Sequence, residues 1–217
     1  MNRLHVRPII VAVSLLLAVA GLRAQRSDTE GIKEADNFVK AGDKTSRSIA
    51  EAKAKIQDAL SAYNALVMQP SSDLRGDYKK LLNTVKEMNQ KADAAKENVT
   101  TMEKVGNTYF AGRATSIKNI QDLALQEKAQ SRFDQNQTEF TSVMKAFQDA
   151  DDSLAPLRKD LSDQINFLGS DLTPNATTSL KPQAEQLNQH ATEVFTKTDQ
   201  ALSKAGAYFN SMRPAKA

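Results

Sequence analysis

Large apolar residues recur every seventh position along one stretch of the chain: Phe133, Phe140, Phe147, Leu154, Leu161 and Leu168. Seven residues make almost two turns of α-helix, so six such side chains form one seam along a long helix. Val143, Met144, Ala150, Leu157, Ile165 and Leu172 stand three or four positions from members of the seam and widen it into a face.

The rest of the chain repeats this period in separate blocks. Ala35, Phe38, Val39, Ile49, Ala52, Ile56, Ala59, Leu60, Tyr63, Leu66 and Val67 predict a helix over about 32–68. Gly42 and Thr45 fall on its stripe, so its N-terminal third is expected to be the weaker part. Gln69-Pro70-Ser71-Ser72-Asp73 reads as a turn, with Ser71 or Ser72 as the cap of the next helix and Asp73 favouring its positive end. Leu74, Tyr78, Leu81, Val85, Met88, Ala92, Ala95, Val99 and Met102 then predict a helix over about 72–113. Ala92 and Ala95 suggest a place where a neighbouring helix comes close.

The seam helix is expected over about 124–169. It contains Pro156, which lacks an N–H and ordinarily breaks or kinks a helix. Asp152 or Ser153 could cap a fresh helix there. The interval from Leu154 to Leu161 is still seven residues, however, and favours one helix kinked at Pro156. Thr173 followed by Pro174 opens a last helix over about 174–212, with Pro182 expected to tilt its first turns. These blocks and their short connections predict an all-α fold: an elongated antiparallel four-helix bundle, coiled-coil-like in its packing.

The first 24 residues read as an address. Arg3 and Arg7 precede an unbroken apolar or small run from Ile9 to Leu22, and Ala24 offers a small residue at a cut. The run of 14 residues is shorter than the roughly 20 that span a bilayer as a helix. A cleaved signal over 1–24 and a flexible lead-in over 25–31 are therefore expected, with a retained inner-membrane anchor through residues 8–22 as the alternative.

Cleavage changes the charge. Without Arg3, Arg7 and Arg23, the 29 basic residues become 26 and equal the 26 acidic ones. No basic field then remains to favour nucleic acid. Membrane contact is expected only if the N-terminal segment is retained. Cysteine is absent, so packing alone must hold the fold.

Catalytic residue types are sparse. His5 lies in the address segment and His190 beside an apolar helix face, where a surface role outweighs a metal or proton-shuttle role. No cofactor and no metal are expected, because cysteine is missing and one histidine remains. Asp149, Asp151 and Asp152 lie too close on one helix to converge on a cation. The Glu-x-x-His pairs of di-iron bundles are missing, and so are a nucleophile elbow and a glycine-rich phosphate loop. The three Asn-x-Thr sequons at Asn98, Asn136 and Asn175 matter only in a eukaryotic secretory route.

Pro156, Asp163-Gln164, Phe167-Leu168, Leu172, Ala176 and Ser179-Leu180 form a pattern with Val99, Met102-Glu103-Lys104-Val105 and Phe110 upstream. In it the chain resembles a bacterial family of exported helical proteins, domain-of-unknown-function family 2959. The resemblance implies fold and export but no activity. Many relatives carry a lipoprotein cysteine that this chain lacks, and Leu161 and Asn166 stand where larger apolar residues are usual. It also draws attention to Asp163 and Gln164, expected to be a helix-surface carboxylate and an inter-helix hydrogen bond that fixes register.

The expected role is that of an exported, non-enzymatic structural or interaction module, partnered by an unidentified protein or by a second copy of the chain. The alternatives are a membrane-associated coiled coil and a carrier that holds a small ligand inside the bundle.

Overall fold

The computed structural model describes residues 9–213, with side chains from Glu30 onward. The signal expected over 1–24 therefore lies outside the described residues, apart from the helical backbone from Ile9. The described chain is all α-helix: α1 Ile9–Met68, α2 Leu74–Lys118, α3 Leu123–Ser170, α4 Pro174–Ser179 and α5 Lys181–Met212. Among the described residues, no helix is long and apolar enough to cross a membrane.

Four long helices pack in the cyclic order α1, α2, α3, α5, with α1 opposite α3 and the short α4 resting on α1 and α5. Neighbours run antiparallel. Glu51 and Lys55 of α1 meet Lys91 and Glu87 of α2, while Lys96 and Asp93 of α2 meet Asp151 and Arg158 of α3. At 1.5 Å per residue, the 48 residues of α3 span about 70 Å.

The boundaries differ from expectation in four places. First, α1 runs through the segment 25–31 expected as a lead-in, because one glycine (Gly31) costs a helix only about 1 kcal/mol. Second, α2 starts at Leu74, with Asp73 rather than Ser71 or Ser72 as its cap: the Asp73 carboxylate accepts the Gly76 N–H at 2.9 Å. Ser71 supports the turn by accepting the Asp73 N–H at 3.1 Å. Third, α2 continues to Lys118, and Asp122 caps α3 by accepting the Leu125 N–H at 3.0 Å.

Fourth, the expected helix over 174–212 is split. Thr173 does cap α4, but the chain breaks at Leu180, and Pro182 sits in the first turn of α5. Pro182 has no N–H to continue the ladder to Thr178. The hydroxyl groups of Thr177, Thr178 and Ser179 donate to backbone carbonyls three or four residues back. α3, by contrast, continues without interruption through Pro156.

The interior has two connected cores. One, at the α1–α2 turn, gathers Tyr63, Leu66, Leu81, Leu157, Leu161, Leu168 and Leu187. The other is aromatic: Phe38 stands within 5.0–6.1 Å, ring to ring, of Tyr109, Phe110, Phe140, Tyr208 and Phe209. Edge-to-face pairs of this kind contribute about 0.5–1.5 kcal/mol each beyond area burial. The seam runs through both cores, with Phe140 and Phe147 in the aromatic one and Leu154, Leu161 and Leu168 in the other. Phe133 is half-buried against Phe110.

Gly42 and Thr45 have packing roles in α1. Gly42 makes room for the Phe209 ring, and the buried Thr45 donates to the Asn98 carbonyl at 3.1 Å.

Candidate ligand cleft at the bundle waist

The residues singled out from sequence lie apart. Asp163 is exposed and paired with Lys159 at 3.2 Å along α3. Gln164, one residue on, turns inward and accepts a hydrogen bond from the Tyr63 hydroxyl of α1. Burial raises the Tyr63 phenol above its ordinary range, so it stays a neutral donor. Pro156 is exposed on the back of α3. His190 joins α5 to α3 through Asp160, Nδ1 to Oδ2 at 2.9 Å.

The acidic group disperses. Asp149 meets Lys145 at 2.8 Å, Asp151 meets Lys96 at 2.8 Å, and Asp152 accepts from Gln148 at 2.8 Å. Among the described residues, no group of three or more His, Cys, Asp or Glu side chains is placed to hold a metal ion.

Between the two cores the packing opens. At one level of the bundle, α1 presents Ala52, α2 presents Ala92 and Ala95, and α3 presents Ala150. Larger residues stand on either side: Ile56 and Leu154 toward one core, Ile49, Val99, Met144 and Phe147 toward the other. The short side chains leave a cleft of about 160 Å³. Ala92 and Ala95, expected to admit a neighbouring helix, are buried against their neighbours and also border this space. Val194 and Thr198 of α5 complete the lining. A helix's own period cannot reveal the cleft, because it depends on which residues of four helices share a level.

Of the polar lining residues, Lys96, Thr100 and Glu103 of α2 and Gln148 of α3 are exposed, which puts the mouth between α2 and α3. Lys53 and Asp151 are half-buried, and Thr198 is buried with its hydroxyl donating to the Val194 carbonyl. The Lys96–Asp151 ion pair crosses it, and the Asp151 carboxylate holds the Lys96 ammonium above its usual range. On the α1 side, Lys53 pairs with Asp199 at 2.5 Å and lies 5.6 Å from the centre of the Phe195 ring.

The family model described as Protein of unknown function (DUF2959) matches residues 25–212. The chain belongs to this family. No curated protein and no solved structure matches it. The DUF2959 match takes in both cores and the cleft between them and ends at the last residue of α5. The segment 156–180 closes the Tyr63 core: Leu161, Leu168, Ala176 and Leu180 are buried, whereas Asn166 and Phe167 face outward.

Proposed function

We propose that this DUF2959 protein is an exported helical bundle that works as a structural or protein-interaction module outside the cytoplasm. The observation that carries the reading is how its polar side chains are spent. Those best suited to chemistry fasten one helix to another: Tyr63 to Gln164 across the bundle, His190 to Asp160, and Asn64 with Asn188 as a reciprocal amide pair at 2.9 and 3.1 Å. Such contacts fix register and leave a rigid rod with a polar surface to present to a partner. The apolar run before Ala24 supports export.

The surface also offers anchors for contact. Leu123 and Leu125, in the first turn of α3, are 74% and 56% exposed, and Ile32 is exposed near the same end of the bundle. Apolar side chains left exposed at one end of a rod are available to a partner's surface.

Cell fractionation with N-terminal sequencing tests the export half: a soluble extracytoplasmic chain starting near Gln25 is expected. A full-length chain in the membrane fraction would replace this reading with the anchored one. Photo-crosslinking from position 123 in living cells tests the interaction half. A discrete adduct that Leu125→Gln weakens is expected, and a chain that stays uncrosslinked under all growth conditions would count against it.

A further inference from the structure

We infer that the waist cleft is a binding site for a small, neutral, apolar molecule about the size of a single ring. Its volume is the first argument. Packed helices ordinarily leave little space between them, and this cleft, open on one side, measures about 160 Å³. An engineered apolar cavity of roughly 150 Å³ takes up benzene.

The lining is the second argument. Ile49, Ala95, Val99, Met144, Ala150 and Leu154 supply hydrocarbon from three helices, so a bound ring is in contact on several sides. Met144 has an unbranched side chain that adapts to the shape of an occupant.

Charge at the mouth selects a neutral occupant. Lys96 and Asp151 neutralise each other across the opening, and Lys53 is held by Asp199. Glu103, exposed at the rim, opposes an anion. A cation would lose its hydration against the hydrocarbon wall without a buried carboxylate to replace it. The mouth lies between α2 and α3 beside the exposed Lys96–Asp151 pair, so entry needs at most a shift of these side chains and no unfolding of a helix. This inference is independent of the exported-module reading, since it concerns the interior of the bundle and neither its location nor its outer surface.

The test uses the purified full chain titrated separately with benzene, phenol and indole. Saturable binding of at least one probe is expected, with a rise in Tm. The Met144 methyl resonance should shift with it while Met68 and Met212, far from the waist, stay fixed. Ala95→Leu and Ala150→Leu fill the cleft from different helices, and each is expected to weaken binding at least tenfold without lowering Tm. The inference is overturned if none of the three probes saturates, or if the Met144 methyl is no more perturbed than Met68. Binding that survives unchanged in either filled variant overturns it as well. The methyl readout needs no substitution, so a variant that fails to fold leaves the question decided by the native chain.

Discussion

The ring of Phe209 fills the space that a side chain at residue 42 would need. A Cβ built on Gly42 would lie 2.3 Å from the ring carbon Cε2. The ring cannot move aside freely, because Phe38 and Tyr208 pack against it at 5.3 and 5.0 Å. Gly42→Ala therefore sets a helix-propensity gain of about 1 kcal/mol against an overpacking cost of about 1–3 kcal/mol. Net destabilisation is expected. At Gly206, a Cβ would meet nothing within 4 Å, so Gly206→Ala should gain about 0.5–1 kcal/mol. Thermal unfolding of the two variants should move Tm in opposite directions, by about 2–4 °C per kcal/mol in a chain of this size. If both rose, the Phe209 contact would not constrain α1.

The Tyr63–Gln164 hydrogen bond links diagonally opposed helices through the core beside Leu161. Tyr63→Phe removes the donor and should cost about 0.5–1.5 kcal/mol. Gln164→Leu leaves a buried hydroxyl without an acceptor and should cost more, about 1–3 kcal/mol. The double variant should be less destabilised than the two effects added, with a coupling of at least about 0.5 kcal/mol in chemical denaturation. Strict additivity would mean that the pair does not interact.

Three tyrosines give the fold an alkaline limit. Burial raises the phenols of Tyr63, Tyr109 and Tyr208 above the ordinary value of 10.0. A group whose folded pKa is raised binds its proton more tightly in the native state. Its contribution is therefore complete below pH 10 and declines as pH climbs toward the folded value. Stability should accordingly fall above about pH 10, and phenolate absorbance for these three residues should appear together with loss of helical circular dichroism. Phenolate formation well before unfolding would show that the rings are accessible to solvent.

Phe140 and Phe133 belong to one seam but not to one environment. Phe140 is 5% exposed and packs against Phe38, Phe110 and Tyr208, whereas Phe133 is half-buried and meets Phe110. Phe140→Ala should cost about 3–5 kcal/mol, and Phe133→Ala clearly less. Equal losses in urea unfolding would mean that the seam is uniformly buried.

How much of this could be read in the sequence depended on whether one helix sufficed. The seam, the faces of all the long helices and the Thr173–Pro174 cap follow from residues close together on a single element. The split at Leu180 was only half legible: Pro182 signalled a disturbance, but the backbone bonds of Thr177, Thr178 and Ser179 that help end α4 resemble ordinary helical decoration. Gly42 looked like a weak point because Phe209, far along the chain, had not yet been placed on it. The waist cleft lay furthest out of reach. Ala52, Ala95 and Ala150 are unremarkable one at a time and define a space only once the four long helices are packed together.

The continuity of α3 through Pro156 leads to the last prediction. The proline ring removes the N–H that would bond to the Asp152 carbonyl, at a typical cost of about 3 kcal/mol inside a helix. Pro156 is exposed, so its replacement forfeits little packing. Leu154, Leu157 and Leu161 around it are all buried, so the seam keeps its register across the proline without help from the missing bond. Pro156→Ala should then restore that bond and stabilise the bundle by up to about 3 kcal/mol, read as a higher midpoint in urea. The opposite result would be equally informative. If Pro156→Ala lowered the midpoint, the two halves of α3 would need a bend at this point to meet their neighbours. The proline would then shape the bundle, and would not simply be tolerated by it.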